Sequence, residues 1–233
     1  MSSDAPLLVL FDIDGTLLRG ATDAHVRALH KALCEVYSVA EPWRVKVEAA
    51  GRTDGEIARA MLLGHGMSAQ RIDERADAVQ EACCRFYAEM LVEDLTHTVL
   101  PGVPELLAEL DSRDDVRLAL LTGNFEPVAR RKLKQAKLGR FFPTGQGAFG
   151  SDAEDRAALP AIARRRAHHH PRERTVVVGD TPRDIACARA DGVGCVAVPT
   201  GPVPAEQLTG ADAVAPDASA VARLLRERYA LAG

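Results

Sequence analysis

The 233-residue chain has no apolar stretch approaching the roughly 20 residues that span a bilayer. A membrane-embedded protein is therefore not expected. Its first residues carry no basic segment, and the apolar run that follows is interrupted by Asp12 and Asp14, so a secretory leader is not expected either. The net charge is only −4, which suggests no nucleic-acid partner and no acidic membrane surface. Five cysteines stand at 34, 83, 84, 187 and 195, an odd number without any CxxC spacing. That excludes an ordinary zinc site and a disulfide framework, and leaves reduced thiols in a cytoplasmic protein as the simplest expectation. There is no internal repeat and no low-complexity linker.

What is present is enough to bury a core: 47% of residues are apolar and 27% charged, and the length allows one domain or two. Leu7, Leu8, Val9 and Leu10 form a run suited to a strand buried on both faces. It is followed at once by Asp12, Asp14, Gly15 and Thr16. Unpaired carboxylates are costly inside a sheet but tolerable at a strand's carboxyl end, where open α/β sheets place their ligands. A plain Asp-Gly turn would explain one of these acids, not both.

After that strand, residues 19–97 read as helical throughout. Thr22 is placed to cap a helix reaching about Tyr37, with Val26, Leu29, Leu33 and Val36 on one face. Pro42 and Trp43 break the pattern. A second helix spans about 53–64, and Ser68 opens a long third one reaching about Val92. From Pro101 the texture alternates: strands at 116–121, 175–178, 193–198 and 211–215, with helices at about 103–110, 126–137, 155–167, 182–190 and 218–229. The glycine-rich stretch 141–151 has no clear assignment. His168, His169 and His170 read as a solvated helix end. Strands alternating with helices argue for a doubly wound parallel sheet, and the helical block for an inserted cap. The expected fold is thus an α/β core over 1–18 and 98–233, with a helical cap over 19–97.

Three strands end in polar residues: Asp12 and Asp14, then Thr122 and Asn124, then Asp180 with Asp184. One sheet edge would gather them, and its carboxylates would repel unless a cation neutralised them. All-oxygen ligands favour a hard divalent ion such as Mg²⁺.

On these residues the chain resembles the haloacid dehalogenase (HAD) superfamily of aspartate-nucleophile phosphatases, among which phosphoglycolate phosphatase-like enzymes are the nearest by motif. The stretches LFDIDGTLL at 10–18, LALLTGN at 118–124 and VVVGDTPRDIACARADG at 176–192 carry the resemblance. It implies a Mg²⁺-dependent hydrolase of small phosphorylated metabolites acting through an aspartyl-phosphate. Asp12 would be the nucleophile and Asp14 the general acid and base. Thr122, Gly123 and Asn124 would hold phosphoryl oxygens, and Asp180 would bind the metal with Asp12 and Asp14. Asp184 also suits a capping box behind Thr181 and Pro182, so capping competes there with metal binding.

The resemblance fails at one point, for no lysine lies between Phe149 and Arg174, where the family carries a phosphate-neutralising one. Arg156, at a helix start, is the replacement of choice over Arg164, Arg165 and Arg166; the alternative is a surface residue pairing Asp152 or Glu154. Arg52, at the head of a cap helix, could reach an anionic group of the substrate or simply be solvated.

Other activities share the scaffold. A metal-free dehalogenase is opposed by Asp14, and a phosphonate hydrolase would need a buried cap lysine for which only Lys46 offers itself. A sugar-phosphate mutase stays open. A catalytically silent binding module would have lost Asp12 or Asp14, and both are present. Oligomeric state is not legible.

Overall fold

A computed structural model of the chain describes residues 5–41, 43–90 and 94–231. Six parallel strands make one sheet: β1 (Leu7–Phe11), β2 (Val116–Thr122), β3 (Ala148–Phe149), β4 (Thr175–Gly179), β5 (Gly194–Ala197) and β6 (Ala213–Val214). Their spatial order is β3-β2-β1-β4-β5-β6. The chain winds outward in one direction through β2 and β3 and in the other through β4 to β6. The switch between β1 and β4 is where such sheets open a crevice.

Strand β1 shows why the opening run is apolar throughout. Leu7, Val9 and Phe11 face a core shared with helices α5 (Val103–Asp111), α6 (Glu126–Gln135) and α9 (Ala218–Tyr229). Leu8 and Leu10 face a second core under α7 (Leu159–Arg166) and α8 (Pro182–Asp191). With both faces covered, alternation of polar and apolar residues has no place.

The helical insertion comprises α1 (Asp23–Tyr37), α2 (Asp54–Gly64), α3 (Ala69–Asp73) and α4 (Ala76–Glu89). The chain leaves the sheet layer beside Leu18 and returns to it at Val99, two residues that bridge. A third apolar cluster fills the cap, and Phe125 and Val128 of the core complete it.

Several expectations need correction. Residues 69–89 form two helices, because the Ile72 carbonyl accepts from the Tyr37 hydroxyl at 2.9 Å and from the Arg75 amide at 3.2 Å instead of continuing the helical ladder. The expected end at Val92, like the Pro42 break, lies outside the described residues. Thr22 precedes α1 but its hydroxyl makes no capping bond. Val26 stands 44% exposed, off the buried stripe of α1. The unassigned stretch holds edge strand β3. Gly147 precedes it with φ +86°, where a Cβ would come within 2.6 Å of the Leu120 carbonyl oxygen. His170 is buried, its Nε2 2.8 Å from the Pro6 carbonyl oxygen, while His168 and His169 are exposed.

Helices α7 and α8 are tied by a fork. Arg164 Nε and Nη2 donate to the two Asp191 carboxylate oxygens at 2.6 and 2.9 Å, and Arg172 donates to the Asp191 carbonyl at 2.6 Å. Burial opposes the Asp191 charge, but Arg164 and Arg172 more than offset it and hold the carboxyl below its ordinary range. A depressed folded pKa contributes stability above the unfolded value, lost as pH falls through the folded one. Asp191→Asn should therefore cost about 1–3 kcal/mol in urea unfolding at pH 7. The difference should narrow below about pH 4; a gap unchanged at low pH would show that the charge is not what matters.

Candidate active site

The carboxyl ends of β1, β2 and β4 meet at the floor of a cavity of about 880 Å³ roofed by the cap. Asp12, Asp14, Thr122, Gly123, Asn124, Arg156, Asp180 and Arg52 all border it. Asp184 lies beneath them, fully buried.

Asp12 continues β1: its amide donates to the Val178 carbonyl at 3.0 Å, which fixes the residue beside β4. The residue is 4% exposed. Burial pushes its carboxyl well above the usual range; Arg156 opposes that push, and Asp184 and Asp14 add to it. Asp180 is raised in the same direction by burial, Asp12 and Asp184. Two neighbouring carboxylates with raised values mark a site short of positive charge.

The cation that is present is Arg156. It sits in a single 3₁₀ turn (Arg156–Ala158) ahead of α7, whose start is fixed by the Asp155 carboxylate accepting from the Ala157 amide. Its Nη2 donates to Asp184 Oδ1 and lies 3.3 Å from Asp12 Oδ1. Burial works against the guanidinium charge, but Asp184 and Asp12 outweigh it and hold the group protonated. The other arginines of this stretch are occupied elsewhere: Arg164 with Asp191 and Arg166 with Asp152, while Arg165 is exposed.

Asp184 does two jobs. With Thr181 it forms the capping box of α8, its Oδ2 accepting from the Thr181 amide at 3.0 Å and hydroxyl at 2.6 Å. Its Oδ1 takes Arg156. Both oxygens thus have donors, and the residue orients the arginine from below.

Asp180 differs. Oδ1 accepts from the Thr16 hydroxyl at 3.0 Å, while Oδ2 is buried without a partner. Gly15 and Gly201 make room for that oxygen; a Cβ on either would approach it to 2.2 or 1.7 Å. Oxygen atoms of Asp12, Asp180 and Asp184 lie within 4.8 Å of one another. An orphaned carboxylate oxygen among hard, anionic donors fits a small divalent cation such as Mg²⁺.

Asp14 is the other pole. Lys132 Nζ donates to its two oxygens at 2.9 and 2.7 Å, and Asn124 Nδ2 to Oδ2 at 3.0 Å. Burial would raise this carboxyl, but Lys132 and Asn124 hold it below its ordinary range. Lys132 went unnoticed in the sequence, yet it lies on the apolar stripe of α6 with Val128, Ala129 and Leu133, fully buried. A lysine inside such a stripe is the signal, because a buried ammonium requires an anion.

The loop at Thr122, Gly123 and Asn124 serves the cap as much as the floor. The Gly123 carbonyl accepts from the Asp54 amide at 2.8 Å, and a Cβ on Gly123 would strike the Arg52 carbonyl oxygen at 2.0 Å. Asp54 Oδ2 takes the Phe125 amide at 2.8 Å and lies 3.0 Å from His25 Nε2, a second buried pair that sequence reading missed. The Thr53 hydroxyl donates to the Glu154 carbonyl at 2.6 Å, and Arg59 Nη2 to the Glu154 carboxylate at 2.7 Å. The cap is therefore docked on the core. Arg52 borders the cavity, but Nε donates to the Glu48 carbonyl at 3.0 Å and Nη1 lies 3.4 Å from Glu56 Oε1. Its charge is already matched within the cap.

Known proteins resemble this chain in sequence and fold. The family model described as haloacid dehalogenase-like hydrolase matches residues 9–189, and a second model of HAD-hydrolase-like proteins matches 156–227. A phosphoglycolate phosphatase of Pseudomonas savastanoi pv. phaseolicola is 32% identical over 204 residues, covering 84% of this chain and 70% of that protein. The tyrosine-protein kinase PtkA of Mycobacterium tuberculosis is 31% identical over 199 residues, covering 85% of this chain. The chain spans 64% of that relative's length, less than two thirds. A β-phosphoglucomutase structure from Clostridium difficile superposes with a TM-score of 0.70 over 97% of both chains, at 15% identity, and shares the fold. No helix among the described residues is long and apolar enough to cross a membrane. With the family model matched over most of its length, the chain belongs to the haloacid dehalogenase-like hydrolases.

Proposed function

We propose that the protein is a Mg²⁺-dependent phosphomonoesterase in which Asp12 attacks phosphorus and forms an aspartyl-phosphate. The observation that carries this reading is Asp12 at the end of β1, bordering the cavity, with Arg156 on one side and the unpartnered Asp180 oxygen nearby. The two relatives described above, a phosphatase and a protein kinase, are both named for phosphoryl chemistry, which is in keeping with it.

In the first half of the reaction an Asp12 oxygen bonds to phosphorus while the bond to the leaving oxygen breaks. Asp14, which Lys132 and Asn124 hold ionised in the free site, takes up a proton as the ester binds and gives it to that oxygen. In the second half water attacks phosphorus, the bond to Asp12 breaks, and the Asp14 carboxylate takes the water's proton. Each turnover thus returns Asp14 to the acid form. Lys132 and Asn124 hold its side chain at one place throughout. Arg156 offsets the charge of Asp12 as a dianionic ester approaches. Thr122 and the Gly123 amide border the cavity at the end of β2 and would meet phosphoryl oxygens there. Asp12 and Asp180, with the Asp14 carbonyl, would hold Mg²⁺, which supplies charge neutralisation at the phosphoryl oxygens. The third carboxylate of the cluster, Asp184, sits behind Arg156.

Hydrolysis of p-nitrophenyl phosphate should require Mg²⁺ and disappear with chelator. A second measurement needs no turnover. Mg²⁺ at about 100 times its Kd should add about 2.7 kcal/mol to unfolding stability, and Asp180→Ala should abolish that gain. Full activity in chelator, or equal stabilisation of the variant, would remove the metal from the mechanism.

A further inference from the structure

We propose that the ester's leaving group is large and predominantly apolar, an alkyl or aryl group rather than a two- or three-carbon acid. This deepens the phosphomonoesterase reading and rests on it. The cavity above Asp12 measures about 880 Å³, the size of sites that take drug-sized molecules. A phosphorylated two-carbon acid fills only a small part of it. The volume does not come from an open lid. Asp54, Thr53 and Arg59 already join the cap to Gly123, Phe125 and Glu154.

Much of the cap wall facing the carboxylates is apolar, with His25, His30, Lys46, Arg52 and Asp54 among it. Val26 and Leu29 of α1, Ile57 and Met61 of α2, and Val45 and Val47 between those helices border the space. Among the described residues, the exposed large apolar side chains are Val26 at 44%, Val45 at 37% and Leu63. The first two stand on this cavity, apolar surface that nothing in the fold covers. An apolar leaving group would cover it and be drawn in by that burial.

The charges point the same way. A small acid such as phosphoglycolate needs a second cation within the cavity for its carboxylate. Arg52, suited by position, already spends its charge on Glu56 and its Nε on the Glu48 carbonyl. Lys46 and Arg19 also border the cavity, and both are exposed at its rim, so their charges stay hydrated. His25 and His30 are likewise engaged, with Asp54 and Glu41, so among the described residues the interior above Asp12 offers apolar contact more than a second anion site.

The experiment measures kcat/KM with Mg²⁺ for ethyl, butyl and octyl phosphate and for 2-phosphoglycolate, all below micellar concentrations. The alcohols leave with nearly the same intrinsic difficulty, so chain length isolates the cavity. Each buried methylene is worth up to about fourfold. The octyl ester should therefore exceed the ethyl ester by at least about thirtyfold, and exceed phosphoglycolate. In Val26→Asn/Val45→Asn the octyl-to-ethyl ratio should fall at least about fivefold; both side chains are exposed enough for the fold to tolerate the change. Values flat with chain length, or phosphoglycolate the better substrate, would overturn the proposal.

Binding of ethylphosphonate and octylphosphonate, read by calorimetry, keeps the two readings apart. Tighter binding of the octyl compound without turnover of any ester would uphold the apolar cavity and remove the esterase reading. Equal binding of the two would overturn the cavity inference whatever the turnover.

Discussion

Asp12→Asn should lower phosphomonoester turnover by about 10⁴-fold or more, the scale on which removal of a covalent nucleophile acts. The amide oxygen is too weak a nucleophile to displace an alcohol from phosphorus, and no neighbouring group can substitute. Asp14 is held by Lys132 and Asn124, Asp184 by Arg156 and Thr181, and Asp180 sits between two glycines. The fold should survive. The residue is fixed by its backbone bond to Val178, and its buried carboxylate is raised by desolvation and by Asp184 and Asp14 despite Arg156. Removing that charge relieves repulsion with Asp180, so unfolding stability should be unchanged or higher. The variant should also yield no acid-stable-quenchable phosphoenzyme when mixed with substrate, whereas the parent chain should give a stoichiometric burst. Retained turnover in a folded variant would end the covalent mechanism.

How far the sequence revealed this site depended on which physical signal each residue leaves. Asp12, Asp14 and Asp180 were legible because a carboxylate directly after a doubly buried strand has few other reasons to be there. The parallel sheet was legible too, since runs such as Leu7 to Leu10 and Val176 to Val178 are apolar without alternation. Strand β3 was not: two residues at an edge, framed by Gly147 and Gly150, carry no periodicity, and those glycines answer to contacts with Leu120 and Gly123 far away in sequence. The split of the cap's third helix depends on the Tyr37 hydroxyl reaching Ile72, a contact across 35 positions. Lys132 and the His25–Asp54 pair depend likewise on the packing of one helix against another element. Such residues look like ordinary surface charges until the helix is turned to its neighbour. Val26 shows the converse error: it fits the apolar stripe by spacing, yet it faces the cavity.

Two cations stand beside the acids of the site, where the resemblance implies one lysine. Arg156 neutralises the Asp12 side and Lys132 the Asp14 side, each reaching in from a different helix start or face. They are not equivalent. Lys132 offers a compact ammonium that both Asp14 oxygens share, whereas Arg156 spans two acids, Asp12 and Asp184, with a single nitrogen. The Arg156 Nε is buried without a hydrogen-bond partner, and the Cys187 thiol lies beside the same guanidinium.

Arg156→Ala should therefore reduce kcat/KM by about 10²–10³-fold, the usual cost of one preorganised charge-stabilising donor. Stability must be read beside rate, because the change strips Asp184 and Asp12 of their shared cation. Leaving buried charge unpaired costs about 3–5 kcal/mol, so the alanine variant is best assayed with Mg²⁺ present and well below its unfolding midpoint. Arg156→Lys separates the two effects. It returns the positive charge, and with it most of the stability, but not the fork that can bridge two acids and a phosphoryl group. It should recover part of the rate and remain about tenfold below the parent, consistent with loss of one hydrogen bond to a charged group. Arg164→Ala is the control. That side chain is committed to Asp191 on the far side of α7, so its loss should lower stability and leave kcat/KM near the parent value. A folded Arg156→Ala enzyme with near-parental kcat/KM would show that the phosphate meets its cation elsewhere, and Lys132 would be the next to substitute.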